Sequence, residues 1–148
     1  MAVTAYWYSA AFLAAFNKEI DFVTDTVKVA LTTNSYTPNQ DTHNYFDDVT
    51  NEITGTGYTA GGVALGSKTL ANANNVITLD AADAQWLTST LTARRAVIYE
   101  STGTPSTSAL LLWIDFGADF SSSSGTFQIT FSASGIAIVT ATDATGFP

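Results

Sequence analysis

Short segments in which apolar and polar residues alternate follow one another from residue 26 to residue 140, and they constrain the fold more than any other feature. Residues 26–32 and 126–131 alternate in this way, as expected for strands with one buried face. Residues 109–116 are almost continuously apolar, which predicts a strand buried on both faces and places Trp113 in the core. Turn-forming residues separate the segments, so the pattern favours antiparallel strands joined by turns.

The residues before this β region follow a helical pattern. One side of residues 4–20 carries large apolar residues at helical spacing, among alanines: Tyr8, Phe12, Leu13, Phe16 and Ile20. This spacing predicts an α-helix that begins at Thr4 and packs its aromatic stripe on the chain's own sheet. A groove between subunits is the alternative partner for the stripe.

The predicted fold is mainly β: an antiparallel β-sandwich of about seven or eight strands, jelly-roll or immunoglobulin-like, with one N-terminal α-helix. No repeat or break in composition divides residues 1–148, so we expect a single domain with the sandwich over residues 26–140. Within it, residues 33–62 are rich in Asn, Gly, Thr and Pro and predict one long loop, a kind of segment that is often functional. Residues 141–148 are predicted to form a tail. We interpret residues 121–125, a serine run ending in glycine, as a turn.

Charge and composition exclude several classes of function. The chain has 13 acidic and 5 basic residues and a net charge of −8, which disfavours nucleic acids and anionic membranes as partners. It has no cysteine and one histidine, so thiol catalysis and metal sites built from several Cys or His residues are not expected. No apolar run approaches the ~20 residues of a membrane span, and the first residues lack the positive region of a secretory signal.

The single histidine and four nearby carboxylates are candidates for chemistry. His43 could act as a general base beside a carboxylate, but no nucleophile motif accompanies it, and a hydrogen-bonded loop histidine is the simpler interpretation. Calcium prefers oxygen ligands such as these carboxylates, yet their spacing does not match a calcium-binding loop: Asp41, Asp47, Asp48 and Glu52. We therefore expect neither a metal nor a cofactor.

Other charged pairs have structural interpretations too. The pairs Asp80–Asp83 and Asp115–Asp119 resemble the two carboxylates of a glycosidase, but turns and caps explain them more simply. Strand alternation places Arg94 and Arg95 on opposite faces of one strand. One of these arginines could pair with a carboxylate across an interface, and a surface ion pair is the simpler alternative.

Aromatic residues allow a further hypothesis, since exposed rings can stack on sugars. The chain has three tryptophans, Trp7, Trp86 and Trp113, and six tyrosines. Core packing is the alternative role for these rings, and we assign it to Trp113.

Several longer motifs carry a resemblance to a known family. They include SYTPNQDTH at residues 35–43, GTGYTAGG at residues 55–62, and DFGAD at residues 115–119 followed by a serine run. With these motifs, most of the chain resembles a family of small virion structural proteins of tailed bacteriophages, described as minor capsid or head decoration proteins. The resemblance implies a protein without catalytic residues that is made in the bacterial cytoplasm and is located in the virion.

The resemblance and the residue pattern together predict a non-enzymatic capsid decoration, or cement, protein that stabilises the head. Its expected partners are the major capsid protein and copies of itself, in a homo-oligomer such as a trimer, with no small-molecule substrate. We expect residues 33–62 and the N-terminal region to make the contacts. The candidate contact residues are one arginine, Arg94, and seven residues of the loop: Tyr36, Pro38, Asn39, His43, Tyr45, Phe46 and Tyr58. A tail or neck component and a glycan-binding module on the virion are the alternative hypotheses.

Overall fold

The computed structural model describes residues 3–142. Within this range the chain forms eight strands and one α-helix, in the order β1 (Thr4–Trp7), α1 (Ser9–Phe16), β2 (Val27–Thr32), β3 (Val63–Ala64), β4 (Thr69–Ala73), β5 (Val76–Asp80), β6 (Ala84–Glu100), β7 (Leu110–Ile129) and β8 (Ala137–Thr140). Two short 3₁₀ helices, Phe46–Asp48 and Pro105–Thr107, lie in loops.

The strands form two antiparallel sheets. One has five strands in the order β1-β7-β6-β2-β3, and the other has three in the order β4-β5-β8. Neighbouring strands are antiparallel throughout both sheets. The predicted mainly β, antiparallel sandwich with one N-terminal helix is therefore confirmed.

Both faces of the five-stranded sheet are covered. On one face, Val27, Val29 and Leu31 of β2 belong to a core that also contains Leu79 of the three-stranded sheet, so this core joins the two sheets. On the other face, a smaller core surrounds Trp113, which is 8 % exposed as predicted for a core residue. Because both faces of the sheet are buried, side chains on both sides of its central strands are mostly apolar.

The β6–β7 hairpin is longer than the sequence suggested. The predicted turn at residues 121–125 is wrong, because these residues continue β7 and pair with β6. Hydroxyl groups join the two strands there: Ser122 Oγ lies 2.7 Å from Ser89 Oγ, and Ser121 Oγ lies 2.7 Å from Thr92 Oγ1. Facing hydroxyls of this kind stabilise a ladder, although a serine run by itself is typical of a turn.

The predicted N-terminal helix over residues 4–20 is corrected in both its length and its buried side. Residues 4–7 form β1 instead, because their backbone pairs with β7 from Leu112 to Asp115 and the Tyr6 ring stacks on Trp113 at 5.0 Å. The helix begins at Ser9, so Thr4 is not its N-cap.

Small side chains, not the aromatic stripe, form the buried side of α1. Ala11 and Ala14 are its buried residues. Leu13 and Phe16 are 62 % and 87 % exposed, and Phe12 is 36 % exposed. An alanine face lets the helix approach the sheet closely, and this leaves the large side chains outside.

Residues 33–62 contain no strand and one of the 3₁₀ helices, and they are attached to the sheet by single bridges. The backbone N–H of Ile53 donates to Leu31 O at 3.0 Å, and Thr32 bridges to Glu52. Of the predicted tail, Ala141 and Thr142 lie outside any strand, and residues 143–148 lie outside the described residues.

The turn that ends this segment depends on a glycine. Gly62 has a φ of +76°, and a Cβ atom there would overlap the carbonyl oxygen of Val29. We expect Gly62→Ala to lower the free energy of unfolding by about 3 kcal/mol or more, because backbone strain adds to a clash with the sheet. Urea unfolding measures the loss.

Gly66→Ala is the matched control. A Cβ atom at Gly66 would meet no heavy atom within 4 Å, so we expect a change within about 0.5 kcal/mol of zero or a small gain. Equal losses for the two variants would contradict the packing argument.

Candidate functional site

The predicted contact residues of the loop divide into buried and exposed groups. Tyr36 is 1 % exposed and packs in the smaller core with Tyr8 and Trp113, so it presents no surface to a partner. Phe46 is half-buried and stacks on Tyr99, with ring centroids 4.0 Å apart. These two aromatic rings serve as the cover of the five-stranded sheet.

His43 is the end of a chain of hydrogen bonds that begins in this core. The hydroxyl groups of Tyr8 and Tyr36 are 2.8 Å apart, and Tyr36 Oη lies 3.0 Å from His43 Nδ1. The backbone N–H of Asn39 donates to the same ring nitrogen at 3.3 Å, so Nδ1 acts as an acceptor. The histidine thus accepts the Tyr36 hydroxyl, which is also paired with that of Tyr8, in agreement with the hydrogen-bonded loop histidine that the sequence favours. Burial is the main reason that the pKa values of both tyrosines are raised.

The other predicted contact residues in the loop occupy half-buried or exposed positions. Tyr58 donates its hydroxyl to Glu52 Oε1 at 2.6 Å and accepts the backbone N–H of Leu31, which ties the loop to β2. Tyr45 is half-buried and donates to Glu19 Oε2 at 3.1 Å. Pro38 is half-buried, and the exposed Asn39 uses its side-chain oxygen to accept backbone N–H groups of the following turn: Asp41 and Thr42.

Arg94 and Arg95 bind the same carboxylate. Arg94 Nε lies 2.9 Å from Asp115 Oδ1, and Arg95 Nε lies 3.0 Å from Asp115 Oδ2. Strand alternation predicted opposite faces, and this is wrong because the ladder shifts register between Ala93 and Arg95. Such an irregularity re-aims side chains.

The partner of the two arginines is therefore within the chain. Arg95 Nη1 also donates to the backbone oxygen of Tyr36 at 2.8 Å, so the cluster connects β6 and β7 to the loop. Partial burial would raise the pKa of Asp115, but the backbone N–H of Gly117 and the two guanidinium groups hold it below its usual value.

Two of the four acidic residues of the loop, Asp48 and Glu52, have structural roles. Asp48 Oδ2 accepts the backbone N–H of Asn44 at 2.8 Å, and Glu52 Oε1 accepts that of Gly61 at 2.6 Å. Among residues 3–142, no group of three or more His, Cys, Asp or Glu side chains is placed to hold a metal ion.

Glu100 is a buried carboxylate that the sequence analysis did not single out. It is 6 % exposed, and its Oε2 atom is buried without a hydrogen-bond partner among the described residues. Burial, and then the negative charges of Asp25 and Glu19, raise the pKa of Glu100, while a hydrogen bond from the backbone of Ala109 opposes the rise. No pattern in the sequence distinguishes it, because it is the last residue of an otherwise ordinary strand.

Two of the three tryptophans are unavailable for stacking on a sugar. Trp86 and Trp113 are 2 % and 8 % exposed. Trp7 is half-buried, and its Nε1 donates to the backbone oxygen of Ile138 at 3.4 Å.

Exposed apolar residues are concentrated elsewhere, near both ends of the described chain. Beside β1 lies a groove of about 450 Å³ between Val3, Ala5 and the later part of β7, and a smaller one of about 220 Å³ lies between β1 and residues 136–138. Among residues 3–142, no charged side chain lines either groove. Sequence reasoning missed this surface, and the signal that could have found it is the distribution of charge along the chain.

Comparisons with protein-family models, curated proteins and solved structures give no match. In residues 3–142, no helix has the length and apolar character needed to cross a membrane.

Replacing Asp115 tests the arginine cluster. We expect Asp115→Asn to lower the free energy of unfolding by about 1–3 kcal/mol, because two partly buried guanidinium groups lose their charged partner. Since the pKa of Asp115 is lower in the folded chain, its contribution is present above the usual value of 3.8 and is lost as pH falls through the folded value.

Urea unfolding at pH 7 and at pH 3 measures both effects, and the variant should lose less stability on acidification than the parent chain. Asp119→Asn is the control, because Asp119 is exposed and accepts no hydrogen bond within residues 3–142. If both variants behave alike, the cluster does not stabilise the fold.

Replacing Glu100 should have the opposite effect on stability. Because burial raises its pKa in the folded chain, the folded state holds the proton more tightly, and stability falls as pH rises from about the usual value of 4.5 through the folded value. We expect Glu100→Gln to melt at a higher temperature than the parent chain at pH 7.5, with a smaller difference at pH 4.5. Thermal unfolding across this range checks it, and a difference that shrinks as pH rises would refute it.

Proposed function

We propose that this chain is a non-enzymatic structural protein of a bacteriophage virion that decorates the head by binding the major capsid protein. One observation carries the proposal: several of the polar side chains that sequence patterns offered for chemistry are used in internal contacts, while large apolar side chains are exposed. His43 binds Tyr36, Glu52 binds Tyr58, and Asp115 binds the two arginines. Such a chain is suited to adhesion.

The loop over residues 33–62 supports this function through its anchoring. Tyr36 and Phe46 are packed inward, and turns of the loop are closed by side-chain caps such as those of Asn39 and Asp48. A segment held in this way has already lost most of its conformational freedom, so binding through its outer side costs little further entropy. Its exposed residues are mainly hydroxyl-bearing, amide or glycine residues, with the carboxylates of Asp41 and Asp47 among them.

The proposal that the protein is located in a virion is supported by the resemblance of the loop motifs to those of phage structural proteins. A decoration protein needs many modest contacts repeated over a symmetric lattice, because repetition multiplies weak affinities. Neutral hydroxyl-rich surfaces suit such contacts, since burying them leaves few charges without partners. Serine and threonine make up about a quarter of this chain.

Binding to capsids that lack the protein tests the proposal. Purified chain is mixed with such particles and co-sedimented, and we expect saturable binding at a level on the order of hundreds of copies per particle. Binding that saturates at about six or twelve copies would instead indicate a ring in the neck or tail. An absence of saturable binding would refute a virion role on the head.

A pair of charge reversals tests the contribution of the loop. Asp41→Lys changes an exposed loop residue, and Asp119→Lys makes the same charge change on β7. We expect the first to weaken capsid binding about tenfold or more and the second to leave it within about twofold. Equal effects would show that net charge, and not the loop, governs binding.

A further inference from the structure

The two longest segments of the chain without a charged residue lie near its two ends. Residues 1–17 precede Lys18, the first charged side chain, and residues 120–142 lie between Asp119 and Asp143. All 13 acidic and 5 basic residues are therefore outside these two segments. In a chain with a net charge of −8, such an uneven distribution leaves part of the surface electrically neutral.

The fold brings the two segments together. Trp7 of β1 donates to the backbone of Ile138 in β8, and its ring lies 5.1 Å from that of Phe12 in α1. The groove of about 450 Å³ is lined by Val3 of the first segment and Phe120 of the second. We define the exposed side chains of residues 3–17 and 120–142 as the uncharged face.

The uncharged face is also the most apolar part of the surface. Of the eleven large apolar residues that are exposed, seven belong to it: Val3, Tyr6, Phe12, Leu13, Phe16, Phe120 and Ile138. A concentration of this kind marks an interaction site more often than scattered apolar residues do.

The same face carries two open sheet edges. β1 is an edge of the five-stranded sheet and β8 is an edge of the three-stranded sheet. Proteins commonly protect edges with charged residues, lysine above all, or with proline, and neither Thr4–Trp7 nor Ala137–Thr140 contains any of these. Among residues 3–142, no further strand pairs with either edge, although Ile138 O of β8 accepts the Trp7 side chain.

Charge identifies the partner for this face. Two copies of a chain with net charge −8 repel one another wherever their charged surfaces meet, and the uncharged face is the surface on which this repulsion is smallest. A strongly basic partner would gain nothing from this face, since it offers no carboxylate. We propose that the uncharged face is a self-association surface that binds a second copy of this chain and buries Phe16 and Ile138 in the contact.

Paired variants on the three-stranded sheet test this proposal. Ile138 on β8 and Leu70 on β4 are 53 % and 52 % exposed, and they lie on opposite edges of the same sheet. Ile138→Asp places a charge in the uncharged face, and Leu70→Asp places the same charge outside it. Phe16→Asp tests the helix side of the face in the same way.

Sedimentation equilibrium of the full chain over about 1–100 µM measures association. We expect the parent chain and Leu70→Asp to form oligomers, and Ile138→Asp and Phe16→Asp to raise the dissociation constant about tenfold or more. Circular dichroism and thermal unfolding establish that each variant is folded. A monomeric parent chain, or equal weakening by Leu70→Asp, would overturn the proposal.

Salt provides an independent measurement on the unmodified chain. Because the contact is uncharged and the remaining charges repel, raising NaCl from about 20 to 300 mM should strengthen association by screening that repulsion. Association that weakens with salt would place the contact on charged surfaces and overturn the proposal. The inference is independent of the proposed capsid binding, since a monomeric chain that still co-sediments with capsids would refute only self-association.

Discussion

The burial of β2, β6 and β7 on both faces is the constraint on which the other parts of the structure depend. A sheet whose central strands are apolar on both sides must be covered twice, because either uncovered face would expose a large apolar area to water. The three-stranded sheet covers one face with residues such as Leu79. The loop over residues 33–62 and residue Tyr8 cover the other. The loop is therefore part of the core as well as part of the surface.

This double role explains why the loop has so many internal polar contacts. A connection that packs on a sheet must satisfy its own backbone groups, and here short side chains such as Asn39 and Asp48 accept them. The buried hydroxyls of Tyr8 and Tyr36 need an acceptor as well, and His43 supplies one. In the described residues, the single histidine and most of the predicted contact residues are thus engaged in holding the cover on the sheet.

Sequence reasoning succeeded where burial alone determines the structure. The alternation around Val27 and Val29 and the apolar run containing Trp113 gave the central strands, because a period of two follows directly from strand geometry. Sequence reasoning failed where pairing with a segment distant in the chain determines the local structure. Residues 4–7 have an ambiguous pattern, and their pairing with β7 overrides the helical spacing.

The candidate site shows the same division. The serine run belongs to a strand because hydroxyl groups on β6 face it. Arg94 contacts Asp115 because of a register shift that no local sequence pattern predicts. Tyr36 was a reasonable choice for an outer contact, yet aromatic residues in a loop give no indication of which side they face. The two long segments without charge that form the uncharged face can be found in the sequence. Only the fold shows that these segments are neighbours.

The pairing of β1 has a consequence for how the protein matures. Thr4 lies opposite Asp115, so β1 pairs with a strand that is translated more than a hundred residues after it. Closing so long a loop is slow compared with forming the adjacent β6–β7 hairpin. β1 therefore cannot join the sheet before β7 has been made, and until the two strands pair that edge of β7 lacks its neighbour.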